Sequence, residues 1–195
     1  MRSARTKLIA AACAAGLLAW LGAGAARAAQ LGAVTVSHDE AGYRIAFDAV
    51  VDAPARQVYA VLSDYAAFVR MSPAIVHVSV EPAPAGSGER VRSVIRSCIW
   101  FFCKKVVTVE DVTEPDPQTI VMHIVPGRGD FERGSSLWRV TGEGARTRLH
   151  YEATRVARFW IPPLIGPWAI KHTLDQQLQV SMNALELLAR QKLSP

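Results

Sequence analysis

The chain has 195 residues, 50% of them hydrophobic, with 22 Lys and Arg against 17 Asp and Glu and a formal charge of +5. Four of the 22 basic residues, Arg2, Arg5, Lys7 and Arg27, fall in the first 28 positions, which hold no acid, so the remaining 18 basic and 17 acidic side chains nearly cancel. That balance removes the general electrostatic case for a nucleic-acid binder, and the length suits one domain with a sizeable core.

Residues 1–28 read as a secretory signal peptide. Arg2, Arg5 and Lys7 form a basic start, Leu8 to Leu21 is almost wholly apolar, and Ala26-Arg27-Ala28 is a small-x-small cleavage site. The apolar run is short for a membrane anchor, although an uncleaved N-terminal anchor is the alternative. Cys13 does not make a lipoprotein site, because Ala10 stands where a larger aliphatic residue is preferred. The expected location is the periplasm, and residues 29–195 are expected to form a single domain.

Ala33 to Ser37 suggests a short leading strand that turns at Ala41-Gly42. Tyr43, Ile45, Phe47 and Ala49 then alternate with Arg44, Ala46 and Asp48, the period of a half-buried strand. Pro54 suits a first helical position. Val58, Val61, Leu62 and Tyr65 follow at i, i+3, i+4 and i+7, so a helix is expected over about Pro54 to Tyr65. A second short helical piece carries Phe68 and Met71 and stops before Pro73. Strands are expected at Ile75–Glu81, Arg90–Cys98, Cys103–Val112, Thr119–Val125, Gly134–Thr141 and Thr147–Arg158, with turns at Asp116-Pro117 and Gly142-Glu143-Gly144. Connections this short demand antiparallel pairing. The chain closes with a helix from near Pro167, whose apolar stripe is Ile170, Leu174, Leu178, Met182, Leu185 and Leu188. The fold class is therefore α+β, and a sheet curled around one long terminal helix tends to enclose a hollow.

Val51-Asp52-Ala53-Pro54 running into Val58-Tyr59-Ala60-Val61-Leu62-Ser63-Asp64-Tyr65, then Ser136-Leu137-Trp138-Arg139-Val140, the turn at Glu143-Gly144, and Thr147-Arg148-Leu149-His150-Tyr151-Glu152 together resemble the START-like, helix-grip superfamily. Within it the chain is most similar to the polyketide-cyclase and coenzyme-Q-binding branch, over roughly Tyr43 to Arg190. The resemblance implies a curved antiparallel sheet of about six to seven strands gripping the C-terminal helix, with a mostly apolar pocket between them. Members of the superfamily bind lipids, isoprenoid quinones, sterols or aromatic polyketides, some as enzymes and many as carriers. The signal peptide separates this chain from the intracellular members.

Cys98 and Cys103 bracket Ile99-Trp100-Phe101-Phe102. In one straight strand five residues would hold them roughly 16 Å apart, too far for a disulfide. On a hairpin tip they would face each other and bridge, the case that an oxidising compartment favours. Such a tip would present Trp100, Phe101 and Phe102 beside Lys104 and Lys105, a composition suited to a bilayer interface, or the aromatics would fold back over the sheet. Phe159 to Trp168, with prolines at 162, 163 and 167, is either a buried connector or a lip at the cavity mouth.

The five histidines, 38, 77, 123, 150 and 172, have no HxH or HExxH spacing, so no metal is expected. No serine sits in a nucleophile elbow, Gly127-Arg128-Gly129 lacks the setting of a phosphate loop, and no cofactor is implied. Asp130 and Glu132 read as solvated loop acids. The function expected is therefore a monomeric carrier for a hydrophobic small molecule, a lipid or isoprenoid quinone, with possible peripheral membrane contact. Its candidate walls are Leu62, Phe68, Met122, Ile124, Trp138, Tyr151, Trp168, Leu174, Leu178 and Met182, and Arg155, on the strand face of Tyr151, either enters the pocket to hold a headgroup or carboxylate or reaches water at the strand's end, the commoner outcome for arginine. The alternatives are a cyclase- or dehydratase-like enzyme, with His123, Tyr151 and Arg155 as its candidates, and a ligand-free accessory subunit of a membrane complex.

Overall fold

A computed structural model describes residues 28–84, 88–99, 102–161 and 166–192. The signal segment, residues 1–27 of it, lies outside the described residues, as do Trp100 and Phe101.

Two short leading strands, β1 (Gln30–Leu31) and β2 (Thr35–Asp39), both pair with β3 (Gly42–Val51). The alternation read in β3 puts Phe47, Ala49 and Val51 inside, while Arg44 and Asp48 face solvent. Helix α1 spans Ala55–Leu62 and buries Val58, Val61 and Leu62. Pro54 is its cap rather than its first residue: its φ of −65° already suits the helix, and its carbonyl accepts the Val58 N–H at 3.1 Å. The helix stops at Leu62, so Tyr65 sits on a separate 3-10 turn, Tyr65–Ala67, followed by α2 (Phe68–Met71). Tyr65 remains buried there.

The strands β4 (Ile75–Pro82), β5 (Glu89–Ile99), β6 (Phe102–Asp116), β7 (Thr119–Ile124), β8 (Phe131–Glu143) and β9 (Arg146–Ala157) form an antiparallel meander. The sheet runs in the order β1-β3-β9-β8-β7-β6-β5-β4, with β2 added against β3. The described residues thus hold nine strands, more than the six to seven expected, because β1 and β2 are separate short pieces. The two helices after β3 carry the chain from one side of the sheet to the far edge at β4.

The last helix, α3 (Gly166–Gln191), lies against both ends of this order, touching β1, β2 and β3 as well as β5, α1 and α2. A sheet whose far strands meet one helix has curled around it, which is the helix-grip arrangement. The C-terminal half of α3 is pinned by polar bonds to the turn before α1. Glu186 accepts the Asp52 N–H at 2.8 Å, and Arg190 donates to the Asp52 carbonyl at 2.9 Å and carboxylate at 2.7 Å. Thr147, fully buried, donates to the Ala53 carbonyl at 2.6 Å and ties β9 to the same turn. No described helix is long and apolar enough to cross a membrane.

Candidate ligand-binding site

The interior of the curl has two unlike halves. Toward α1 it is solid: Val51, Leu62, Ile120, Val140, Leu149, Met182 and Leu185 retain almost no accessible surface. Leu62 and Met182, expected as pocket walls, belong to this plug and offer no free surface to a ligand.

Toward the N-terminal half of α3 the inward side chains are less covered. Register sets Phe47 opposite Tyr151, Tyr151 opposite Trp138, and Trp138 opposite Ile120, one row across four strands. The three aromatic rings of that row pack at centroid distances of 5.0 Å (Phe47–Tyr151), 4.5 Å (Trp138–Tyr151) and 5.7 Å (Phe47–Trp138). Trp138 and Tyr151 are nevertheless only partly buried, as are Phe68, Leu174 and Leu178. Tyr151 is the most telling. Burial is the main cause that pushes its phenol pKa up, although its surface is not fully covered. Met122 and Ile124 face the same interior and are buried.

Trp168 departs from the expectation. It lies 58% exposed, its ring stacked on His172 at 5.5 Å, on the outer face of α3 with Lys171. The helical step explains this, since 168 is not on the Ile170, Leu174, Leu178 stripe.

Arg155 does enter the interior, but not as a free cation. Its Nη2 donates to Glu110 Oε1 at 2.7 Å, and its Nη1 donates to the Ser135 carbonyl at 2.7 Å and the Thr154 carbonyl at 3.0 Å. The two charged side chains are only 13% and 12% exposed. Gly134, the register partner of Arg155 on β8, lies too close to the neighbouring strand for a side chain; a Cβ there would lie 2.2 Å from the Thr154 carbonyl oxygen. Around the pair stand further inward polar groups, Ser93, Thr108 and Ser136, all buried. Ser93 and Thr108 are register partners. The Ser136 hydroxyl lies beside the Tyr151 phenol and hydrogen-bonds weakly to it, lowering its pKa, and meets no other partner among the described residues.

Glu110 and Ser136 went unnoticed in the sequence. The signal was present: once Val112 is inward, strand period places Glu110 and Thr108 on the same face. By the same period His123, between the inward Met122 and Ile124, points outward and is exposed. It sits on the convex face with Arg44, Ser135 and Glu152, in an open depression away from the aromatic row. It therefore cannot partner Tyr151 in acid–base work, which removes one member of the enzyme reading's trio. Asp130 is not merely solvated, because its carboxylate accepts the Val107 N–H at 2.7 Å beyond the end of β7.

At the open end, Lys104 lies 3.5 Å over the Phe159 ring, which meets Phe131 edge-on. Trp160 beside it is 80% exposed, and Lys105 is exposed. Residues 162–165 of the apolar connector lie outside the described residues. The pairing of Ile99 with Phe102 and of Cys98 with Cys103 makes this stretch a hairpin, not a straight strand. A second polar cluster lies elsewhere, where Glu114 accepts the phenol of Tyr59 at 2.7 Å and that of Tyr65. Burial, and then that carboxylate, push both phenol pKa values up. Among the described residues no three His, Cys, Asp or Glu side chains converge on a metal position.

Residues 43–188 match the family described as polyketide cyclase / dehydrase and lipid transport. A comparison with curated protein sequences returns no match. Among solved structures, the chain resembles a STAR-related lipid transfer protein fragment from Xanthomonas axonopodis at 16% identity and a TM-score of 0.61, covering 82% of this chain and 99% of that one. It resembles a START superfamily protein from Mycobacterium smegmatis at 19% identity and a TM-score of 0.60, covering 77% and 99%. It also resembles the Zhui aromatase/cyclase from Streptomyces sp. R1128 at 18% identity and a TM-score of 0.58, covering 77% and 94%. At these identities the likeness concerns the fold.

Proposed function

Because the chain belongs to the polyketide cyclase / dehydrase and lipid transport family, we propose that it is a periplasmic carrier that encloses a hydrophobic small molecule, a lipid or isoprenoid quinone, between its sheet and α3. The observation that carries this reading is that Trp138 and Tyr151, paired in register on the inner face, and Leu174 and Leu178 on α3 are all only partly covered, which leaves room for a hollow among them. Each 100 Å² of apolar ligand surface taken from water there contributes roughly 2.5 kcal/mol, while apolar walls discriminate mainly by shape. One similar structure is a STAR-related lipid transfer protein fragment and another an aromatase/cyclase. The carrier is favoured over the cyclase because Arg155 is already bound by Glu110 and two carbonyls, and His123 faces solvent.

The signal-like residues 1–28 support export, and an oxidising compartment suits a disulfide between Cys98 and Cys103, which face each other in register. The exposed Trp160 and Trp168 with Lys104 and Lys105 support a contact with a membrane surface during loading.

The test is mass spectrometry of the mature protein purified from periplasm, native against denatured. A lipid or quinone released in near-stoichiometric amount is the expected result. An empty protein that also ignores added lipid and quinone overturns the reading. Flotation with anionic vesicles tests the membrane contact: Trp160→Ser with Trp168→Ser abolishes binding while leaving the fold intact, and unchanged binding removes the proposal.

A further inference from the structure

An apolar hollow with one charged pair in it poses a question of charge. Resting on the carrier reading, we infer that the ligand carries a neutral oxygen headgroup, a hydroxyl or carbonyl, on its apolar body, and that Glu110 excludes anionic amphiphiles from this site.

The first argument is charge balance. Arg155 and Glu110 form a pair at 2.7 Å with both side chains nearly covered. The pair itself contributes one positive and one negative charge, so an incoming carboxylate or phosphate adds a second negative charge beside Glu110. It must also give up its hydration to enter, and a buried charge without its own counter-ion is strongly disfavoured. A cationic head meets the converse problem at Arg155.

The second argument is donor geometry. A guanidinium has five N–H donors, and three of those of Arg155 are committed, to Glu110, Ser135 and Thr154. The fork is thereby fixed on its carbonyl side and cannot swing away from Glu110 toward an incoming carboxylate.

The third argument is the polar surroundings. The Ser136 hydroxyl is 3% exposed and is answered only by the Tyr151 phenol beside it, with no other partner among the described residues. It stands beside Tyr151, whose phenol borders the hollow, and one step along the strand faces from Arg155. Two neutral hydroxyls next to a neutralised ion pair match a single neutral oxygen that accepts one hydrogen bond and, if a hydroxyl, returns one. Met122, Trp138, Leu174 and Leu178 take the apolar remainder.

The experiment compares two probes with the same chain, oleyl alcohol and oleate, by quenching of tryptophan fluorescence below their micelle concentrations and at a pH where oleate is ionised. Wild type should bind oleyl alcohol tighter than oleate by at least about tenfold, as expected where a like charge meets a buried carboxylate. Glu110→Gln frees the Arg155 charge, and the preference should move toward oleate by about tenfold or more. The double variant Glu110→Gln with Arg155→Gln carries neither charge and should not show the shift toward oleate that Glu110→Gln shows, which ties that shift to the Arg155 charge rather than to packing. Thermal melts verify that each variant is folded. Equal wild-type affinity for the two probes, or a preference unmoved by Glu110→Gln, overturns the inference alone. Binding of neither probe by any form overturns the carrier reading and the inference with it.

Discussion

Glu110 on β6 and Arg155 on β9 are separated by two intervening strands, yet their side chains meet at 2.7 Å inside the curl. Three strand spacings amount to roughly 14 Å along a flat sheet, and the two long side chains close that gap across the concave face as the sheet bends toward them. The contact is therefore a measure of curvature as well as a charge pair.

Breaking this pair from one side should be costlier than removing it. Glu110→Ala leaves the Arg155 charge buried without its counter-ion and should destabilise the fold by roughly 3–5 kcal/mol, whereas Glu110→Leu with Arg155→Met should cost much less. Urea denaturation of the two single variants and the double variant measures the coupling. Additive losses would mean that the two side chains do not interact.

The proposed bridge between Cys98 and Cys103 closes a loop of only six residues. Its chain-entropy contribution is about 2 kcal/mol. Cys98→Ser with Cys103→Ser should lower the denaturation midpoint by that order and make the midpoint insensitive to reductant. Thiol labelling of the unfolded wild type should find these two cysteines blocked unless reductant is added first.

The architecture was legible because its signals are local. Tyr43 to Val51 carries period two, Val58 to Leu62 carries the helical period, and the turns at Asp116-Pro117 and Gly142 to Gly144 set off the intervening strands; each acts within a few residues. The site was legible only in part. Trp138 and Tyr151 followed from alternation, but whether Leu62 lines a hollow or fills a plug depends on what α3 and β9 place over it, which no local pattern records. Trp168 was assigned inward from its apolar character, although its helical phase matches Lys171 and His172. Glu110 was passed over because an acid on a strand ordinarily faces water, and its partner lies 45 residues away.

His150 supplies a pH-dependent contribution on the outer face. Its Nδ1 lies 2.9 Å from Asp48 and its Nε2 3.0 Å from Glu152, and these bonds, Asp48 first, raise its pKa. A histidine whose folded pKa is raised contributes stability that is fully present below its unfolded value, about 6.5, and is lost as pH rises through the folded value. The wild type should thus exceed His150→Gln in melting temperature at mildly acid pH, with the gap closing in alkaline buffer. The effect should be only a few degrees at most, because the group is about one-third exposed and solvent screens it. A gap that widens with pH would contradict the assignment.

The division between plug and hollow is itself testable by changing volume at matched positions on α3. Leu185 is fully buried in the plug, and Leu185→Ala should cost roughly 3 kcal/mol or more, since a cavity opens where none existed. Leu178, one stripe position toward the N-terminus beyond Met182, is only partly covered. Leu178→Ala enlarges a space already present and should cost under about 1.5 kcal/mol. The opposite change separates the two sites more sharply. Leu178→Trp extends into the hollow, so it should leave the melting temperature nearly unchanged while weakening uptake of oleyl alcohol. Leu185→Trp has no space to enter and should unfold the domain or lower its stability severely. Equal penalties for the two tryptophan variants would mean that the interior around Trp138 and Tyr151 is packed as densely as the plug, and no room for a ligand would remain.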